Sequence, residues 1–182
     1  MLGLHSQTDP AWAKTALSDE ISLLRDHGHL ERKAAGHVIT LMGQVQGAGA
    51  RLLEIAAEEL EHCDRVCKLL EKRGKDLGTD PGNPYVRQLV QATGKTLLDR
   101  VLRMGIIEAR SYEHFCLLDE AAAGDLKQLF HELKESEAGH HAFFIKLAYE
   151  HWPREEVKAR WDALADAEAA IVAEIEWGPR VH

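Results

Sequence analysis

The chain has 182 residues, 45% of them hydrophobic and 29% charged, and its formal net charge is −8 with 11 histidines counted as neutral. That length suits one domain with a sizeable core, and no apolar run approaches the ~18 residues that a membrane span needs. The acidic balance does not advertise nucleic-acid binding, and three cysteines with no Cys-x-x-Cys argue against a disulfide framework, a zinc ribbon or a rubredoxin module.

In chain order, residues 1–17 read as an arm with one short turn. The start lacks the basic run and apolar core of a signal peptide, so a cytoplasmic location is expected. Ser18 is the expected N-cap, with Asp19 and Glu20 favoured at the positive end of the dipole. The first long helix is predicted over 19–44. Its inward stripe is Ile21, Leu24, His27, Ala34, Ala35, Val38 and Met42, and Glu31 sits inside that stripe. A carboxylate there must be paired, protonated or ligating. Gly43–Gly49 reads as a turn; no Gly-Lys-Ser/Thr follows, so it does not match a phosphate-binding loop.

The second helix is predicted over 49–73, with Leu52, Ile55, Glu59, His62, Val66 and Leu69 inward. Its basic end, Lys68, Lys72, Arg73 and Lys75, complements the helix dipole or meets phosphate. Cys63 and Cys67 read as reduced core residues. Residues 74–84 carry Gly74, Gly78, Asp80-Pro81-Gly82 and Asn83-Pro84, the clearest break in the chain, and a brief helix is expected over 85–92. The third long helix, over 95–122, turns Leu97, Val101, Met104, Glu108, Tyr112, Phe115 and Leu118 inward. The fourth, over 125–151, turns Leu126, Leu129, Leu133, Glu137, His140, Phe144 and Leu147 inward. A fifth, over 154–177, has one largely apolar face that contains Glu168 and is expected to pack outside the bundle. The expected fold is a single all-α domain: an N-terminal arm (1–17), a four-helix bundle with a long crossover (18–151) and an additional C-terminal helix (154–177).

Glu59 and His62 form a Glu-x-x-His, as do Glu137 and His140, and residues three apart share a helical face. Each motif follows a helix that carries one isolated inward glutamate. Glu31 to Glu59 is 28 residues and Glu108 to Glu137 is 29, while Glu59 to Glu137 and His62 to His140 are both 78. The halves therefore repeat. Glu113 in place of Glu108 makes the second interval 24 and spoils the match. Four carboxylates and two imidazoles suit a pair of iron or manganese ions with positions open for O₂. The candidate metal ligands are Glu31, Glu59, His62, Glu108, Glu137 and His140, with Glu59 and Glu137 as the bridging carboxylates. Tyr112 and His27 stand one turn from Glu108 and Glu31 and read either as core or as site-lining residues. Arg110 is a candidate for supporting the ligands from outside, and His141 points away from them.

Asp26-His27-Gly-His-Leu-Glu31-Arg-Lys-Ala-Ala35, Glu58-Glu59-Leu-Glu-His62, Ile107-Glu108-Ala-Arg-Ser111-Tyr-Glu113 and Ser136-Glu137-Ala-Gly-His140 resemble the tRNA hydroxylase family called MiaE, over roughly residues 20–175. The resemblance implies a ferritin-like, non-haem diiron monooxygenase. It also implies that the six residues above are iron ligands, and that the substrate is 2-methylthio-N6-isopentenyladenosine next to the tRNA anticodon, hydroxylated on its isopentenyl group. Such an enzyme needs O₂ and an external electron donor with its electron-transfer partner, since the chain carries no flavin, haem or iron–sulfur motif. Local basic clusters, Lys68 to Lys75 or Arg87, Lys95, Arg100 and Arg103, could meet the RNA. Two other readings stand beside it: a ferritin-like diiron oxidase, peroxidase or iron-handling protein with another substrate, and a metal-stabilised structural or partner-binding bundle.

Overall fold

The structure is a computed structural model that describes residues 2–182. It has seven helices among them: α1 (Trp12–Ala16), α2 (Glu20–Met42), α3 (Gly49–Lys72), α4 (Pro84–Ala92), α5 (Leu97–Ala121), α6 (Gly124–His151) and α7 (Arg154–Glu174). No β-strand occurs among the described residues, and no helix among them is long and apolar enough to cross a membrane. The chain divides into two compact units. One comprises the N-terminal segment through Lys14, Pro84–Trp177 and His182; the other comprises Thr15–Asn83 and Gly178–Val181.

In the second of these units α2 and α3 form an antiparallel hairpin closed by the glycine turn, where Gly47 takes a φ of +76° that only glycine adopts without strain. Ser18 is not the cap of α2. Asp19 is: its Oδ1 accepts from the backbone N–H of Ile21 at 3.0 Å and of Ser22 at 3.1 Å, while the Ser18 hydroxyl donates to Thr15 O. The core of α2 is Leu23, Leu24, Ala35, Val38 and Leu41. Met42, expected inward, lies outside it and is exposed, because the helix ends there and Leu41 takes the inward position. On α3 the expected stripe is buried throughout.

The crossover segment after α3 is tied along α2. Arg25 Nε donates to Asp76 O at 2.9 Å, Lys33 pairs with Asp80 at 2.7 Å, and Asn83 Nδ2 donates to Asp26 Oδ1 at 3.0 Å. Gly28 lets Leu77 and Val66 close on α2: a Cβ there would stand 2.7 Å from Leu77 Cδ1. The Val181 backbone N–H donates to the other side of the Asp26 carboxylate at 2.9 Å. Burial pushes the Asp26 carboxyl above its usual value, against the lowering effect of the bonds from Asn83 and Val181. The folded state thus holds the proton of Asp26 more tightly than the unfolded chain does. Its contribution to stability is most favourable below the unfolded value near 3.8 and declines as pH rises through the higher folded value. Asp26→Asn, which keeps an acceptor for Val181, is expected to remove that decline. The check is the difference in melting temperature between variant and wild type from about pH 3 to 6; a difference that stays flat or shrinks with pH contradicts the assignment.

In the other unit α5 is the central element. It is buried on nearly every side, because α6 packs along one flank while α7, α4 and the N-terminal segment cover others. Its start carries a capping box, in which Thr96 and Asp99 each bind the other's backbone N–H. Every expected inward residue of α6 is buried. On α5, Leu97 and Tyr112 are only half-buried. Helix α7 stops at Glu174, not 177, because Ile175 turns extended. The N-terminal residues are no loose arm: Leu4, Thr8 and Trp12 are buried, Trp12 stacks on His114, and the Trp161 indole N–H donates to Gly3 O. Met1, counted in the expected arm, lies outside the described residues.

Candidate metal centre

Each unit buries three of the expected ligands. On α2, Glu31 interrupts the apolar face, and on α3 Glu59 and His62 do so one turn apart. Hairpin pairing aligns these interruptions. His62 Nδ1 stands 3.6 Å from Glu31 Oε2 and 4.0 Å from Glu59 Oε2. Those spacings exceed a hydrogen bond. The shorter one matches two donors that each bind a shared ion at about 2.1 Å with an open angle between them. The residues therefore fit a metal ion. All three side chains are at least nine-tenths buried. His27, one turn before Glu31, is the residue that orients it: His27 Nε2 and Glu31 Oε1 are 2.5 Å apart. Burial pushes the Glu31 carboxyl upward, but the charge and hydrogen bond of His27, with His62 and Glu59 beside it, hold it well below the usual range. An ionised, oriented carboxylate is what a divalent cation requires.

The α5–α6 hairpin buries the same residue types. Glu108 on α5 and His140 on α6 offer ligand atoms within 4.8 Å of each other, and both are buried. Glu137, buried as well, lies one turn before His140 on the same face. Ser136 Oγ lies 3.4 Å from His140 Nε2 and holds that side of the ring. The donor set is again two carboxylates and one imidazole, which suits iron or manganese.

Glu113 and His141, outside the expected ligand set, are occupied elsewhere. Glu113 Oε2 accepts from the backbone N–H and hydroxyl of Thr8 and from Arg110. The ring of His141 meets Gly105 O through Nδ1 at 2.8 Å, and burial lowers its pKa. Tyr112 is half-exposed, and its hydroxyl, bonded to Cys116, is pushed above its usual pKa. All three cysteines are free. Burial, and then the adjacent Cys67, pushes the Cys63 thiol up to about 11, and Cys63 donates to Gly28 O; both observations suit an inert thiol.

Sequence reasoning left the surroundings of Arg110 open. The side chain has no exposure and sits in a network on the side of α5 away from Glu108. Its Nε and Nη2 donate to the two oxygens of Glu168 at 2.7 and 2.9 Å, and its remaining donors reach Glu113, Thr8 and Ser6. The Tyr85 hydroxyl adds a bond to Glu168 at 3.1 Å. Burial opposes the guanidinium charge, but Glu168 overrides it and keeps the group charged. The signal was present in α7, where Glu168 stands inside an apolar face and needs a buried cation.

Three comparisons bear on this arrangement. The family model described as tRNA-(MS[2]IO[6]A)-hydroxylase (MiaE) matches residues 2–182. A curated relative from Pseudomonas putida, tRNA 2-(methylsulfanyl)-N(6)-isopentenyladenosine(37) hydroxylase, is 30% identical over 186 aligned residues, which cover 98% of this chain and 91% of the relative. One of the same description from Salmonella typhimurium is 26% identical, over 72% of this chain and 50% of its own length. Among solved structures, a Synechococcus protein titled as having aldehyde deformylating oxygenase activity superposes with a TM-score of 0.90 and 34% identity, covering 98% of this chain and 94% of its own.

Proposed function

The chain belongs to the MiaE family of tRNA hydroxylases, all-α enzymes of ferritin-like fold, and from that membership we propose how its two glutamate–histidine hairpins serve the reaction. It is an oxidoreductase that hydroxylates 2-methylthio-N6-isopentenyladenosine in tRNA, on the isopentenyl group. The six residues Glu31, Glu59, His62, Glu108, Glu137 and His140 would hold two iron ions, three of the residues coming from each hairpin. The observation that carries this reading is the repeat: each hairpin independently buries two carboxylates and an imidazole.

When bound, the ions supply the O₂ chemistry that inserts one oxygen atom into a C–H bond and releases the other as water. The chain's own part is to bind and exclude. Glu59 and Glu137 would serve as the bridging carboxylates. His27 fixes Glu31, and Ser136 steadies His140. The apolar residues around each hairpin keep water from the reacting carbon. Two electrons come from an external donor through a partner protein, in the cytoplasm, where tRNA resides.

The deciding experiment is modified-nucleoside analysis of tRNA from cells with and without this chain, in a strain that makes the isopentenyl precursor. The hydroxylated nucleoside is expected only with the chain present; precursor that stays unhydroxylated in both removes the substrate. The structural relative favours a second reading, a diiron oxygenase acting on an aldehyde. Loss of a fatty aldehyde from the same extracts, with tRNA unchanged, selects it.

A further inference from the structure

RNA is a polyanion, and this chain has a net charge of −8. Its cations are not spread evenly. Residues 81–107 hold Arg87, Lys95, Arg100 and Arg103 against one acid, Asp99, so this stretch has a net charge of +3 (4 − 1). Folding enhances the imbalance. Arg160 comes over from α7 and pairs with Asp99, which neutralises the one acid of the corner where α4 meets α5. Arg103 Nη1 donates to Thr93 Oγ1 at 2.7 Å and to Gly94 O, which sets the connecting loop. Gly94 makes room for this: a Cβ there would stand 2.8 Å from Arg160 Nη2. Arg87 and Lys95 are exposed and make no hydrogen bond or ion pair with any described residue, while Arg100 is half-exposed. Burial, and then the charge of Arg100, lowers the pKa of Arg103 against the opposing pull of Asp99. The helix behind them adds the positive end of its dipole.

The other basic stretch of the sequence does not share this character. Residues 61–76 hold five cations and four acids, for +1. Lys68 pairs with Asp64 at 2.5 Å, Arg65 with Glu61 at 2.8 Å and Arg73 with Glu20 at 3.2 Å. Those three cations are matched on their own surface, and the exposed Lys72 and Lys75 stand among the acids Glu71 and Asp76 of the same stretch.

We propose that the α4–α5 corner, with Arg87, Lys95, Arg100, Arg103 and Arg160, is the surface on which this enzyme docks the phosphate backbone of its RNA. The proposal rests on the tRNA reading above and adds to it the face that meets the substrate. The corner presents no exposed aromatic residue, so it tracks phosphates without reading bases. It anchors the RNA and leaves recognition of the modified adenosine to the site itself.

The test is fluorescence anisotropy with a labelled anticodon stem-loop RNA carrying the isopentenyladenosine, titrated with the iron-loaded enzyme over a range of salt. The variant is Arg87→Glu/Lys95→Glu/Arg100→Glu, which leaves Arg103 and Arg160 to hold the loop. Loss of these phosphate contacts is expected to weaken binding about tenfold or more at low salt and to flatten the log–log salt dependence by roughly 2–3. Circular dichroism, melting temperature and iron content are expected to match wild type. The milder Arg87→Ala/Lys95→Ala/Arg100→Ala variant is expected to fall between the two. Lys72→Glu/Lys75→Glu is expected to leave binding unchanged. Wild-type enzyme that binds the RNA while the triple variants bind it equally well overturns the corner alone, as does a loss seen only in Lys72→Glu/Lys75→Glu. The corner is also overturned as the RNA-docking face if the triple variants slow only reduction by an acidic electron-transfer protein. Wild-type enzyme that binds no RNA removes the tRNA reading on which the proposal rests.

Discussion

Glu59→Ala and Glu137→Ala are each expected to reduce hydroxylation by at least about 10²-fold, more than the loss typical of residues that merely support a ligand. Each removes a carboxylate buried within one turn of its histidine, and the proposed bridges serve both ions at once. Iron bound after anaerobic reconstitution should fall with activity. A second readout separates a catalytic site from a structural one. Metal that binds only the folded chain stabilises it by about 2.7 kcal/mol at a concentration 100 times its Kd, so chelation should lower the melting temperature of wild type and leave the variants nearly unaffected. Variants that keep full iron and full turnover contradict the ligand assignment. Variants that lose stability to the same extent as chelated wild type, with turnover intact, would mark the ions as structural.

Glu168→Ala should be the most damaging substitution away from the metal residues. Neither Arg110 nor Glu168 has any side-chain exposure, and two parallel hydrogen bonds join them. Removal of the carboxylate strands a guanidinium in the interior, with a cost of about 3–5 kcal/mol in the stability of the fold. The double variant Arg110→Met/Glu168→Leu removes both charges, fills similar volume and is expected to recover most of that loss. Chemical denaturation of the three proteins checks it. A double variant as unstable as the single one would show that the network's other bonds, to Thr8, Ser6 and Tyr85, carry the stability instead.

The two predictions also mark what the sequence could and could not reveal. The six proposed ligands were legible because each breaks an apolar stripe at helical spacing, and because the intervals repeat between the halves. A charge in a stripe is visible locally. Long-range pairing is not. Glu168 announced itself as a misplaced acid, but nothing near it named Arg110, 58 residues away. The N-terminal segment looked irregular because its order is imposed by helices more than 100 residues later: Thr8 bonds to Glu113 and His5 to Asp166. The flat reading of α5 as one inward stripe failed for the same reason, since its other faces are covered by elements whose positions only the tertiary fold decides. The cap of α2 was missed by one residue, with Ser18 and Asp19 both competent and the hydroxyl drawn instead to Thr15. Net charge misled in a different way, because an average of −8 hides a corner of opposite sign.

The bond between the Asp26 carboxylate and the Val181 backbone spans 155 residues of chain. Helical proteins usually reach their native state quickly, because most of their contacts are local. The α2–α3 hairpin is of that kind, closing through a turn of six residues between Met42 and Gly49. The clasp on Asp26 has the opposite character: the loop it closes is far longer, which raises its closure entropy cost above that of the hairpin by about 3 kcal/mol. The unit thus joins two kinds of contact. One is a local hairpin that carries three of the proposed ligands, and the other is a clasp from the last residues over a buried carboxylate far back in the chain.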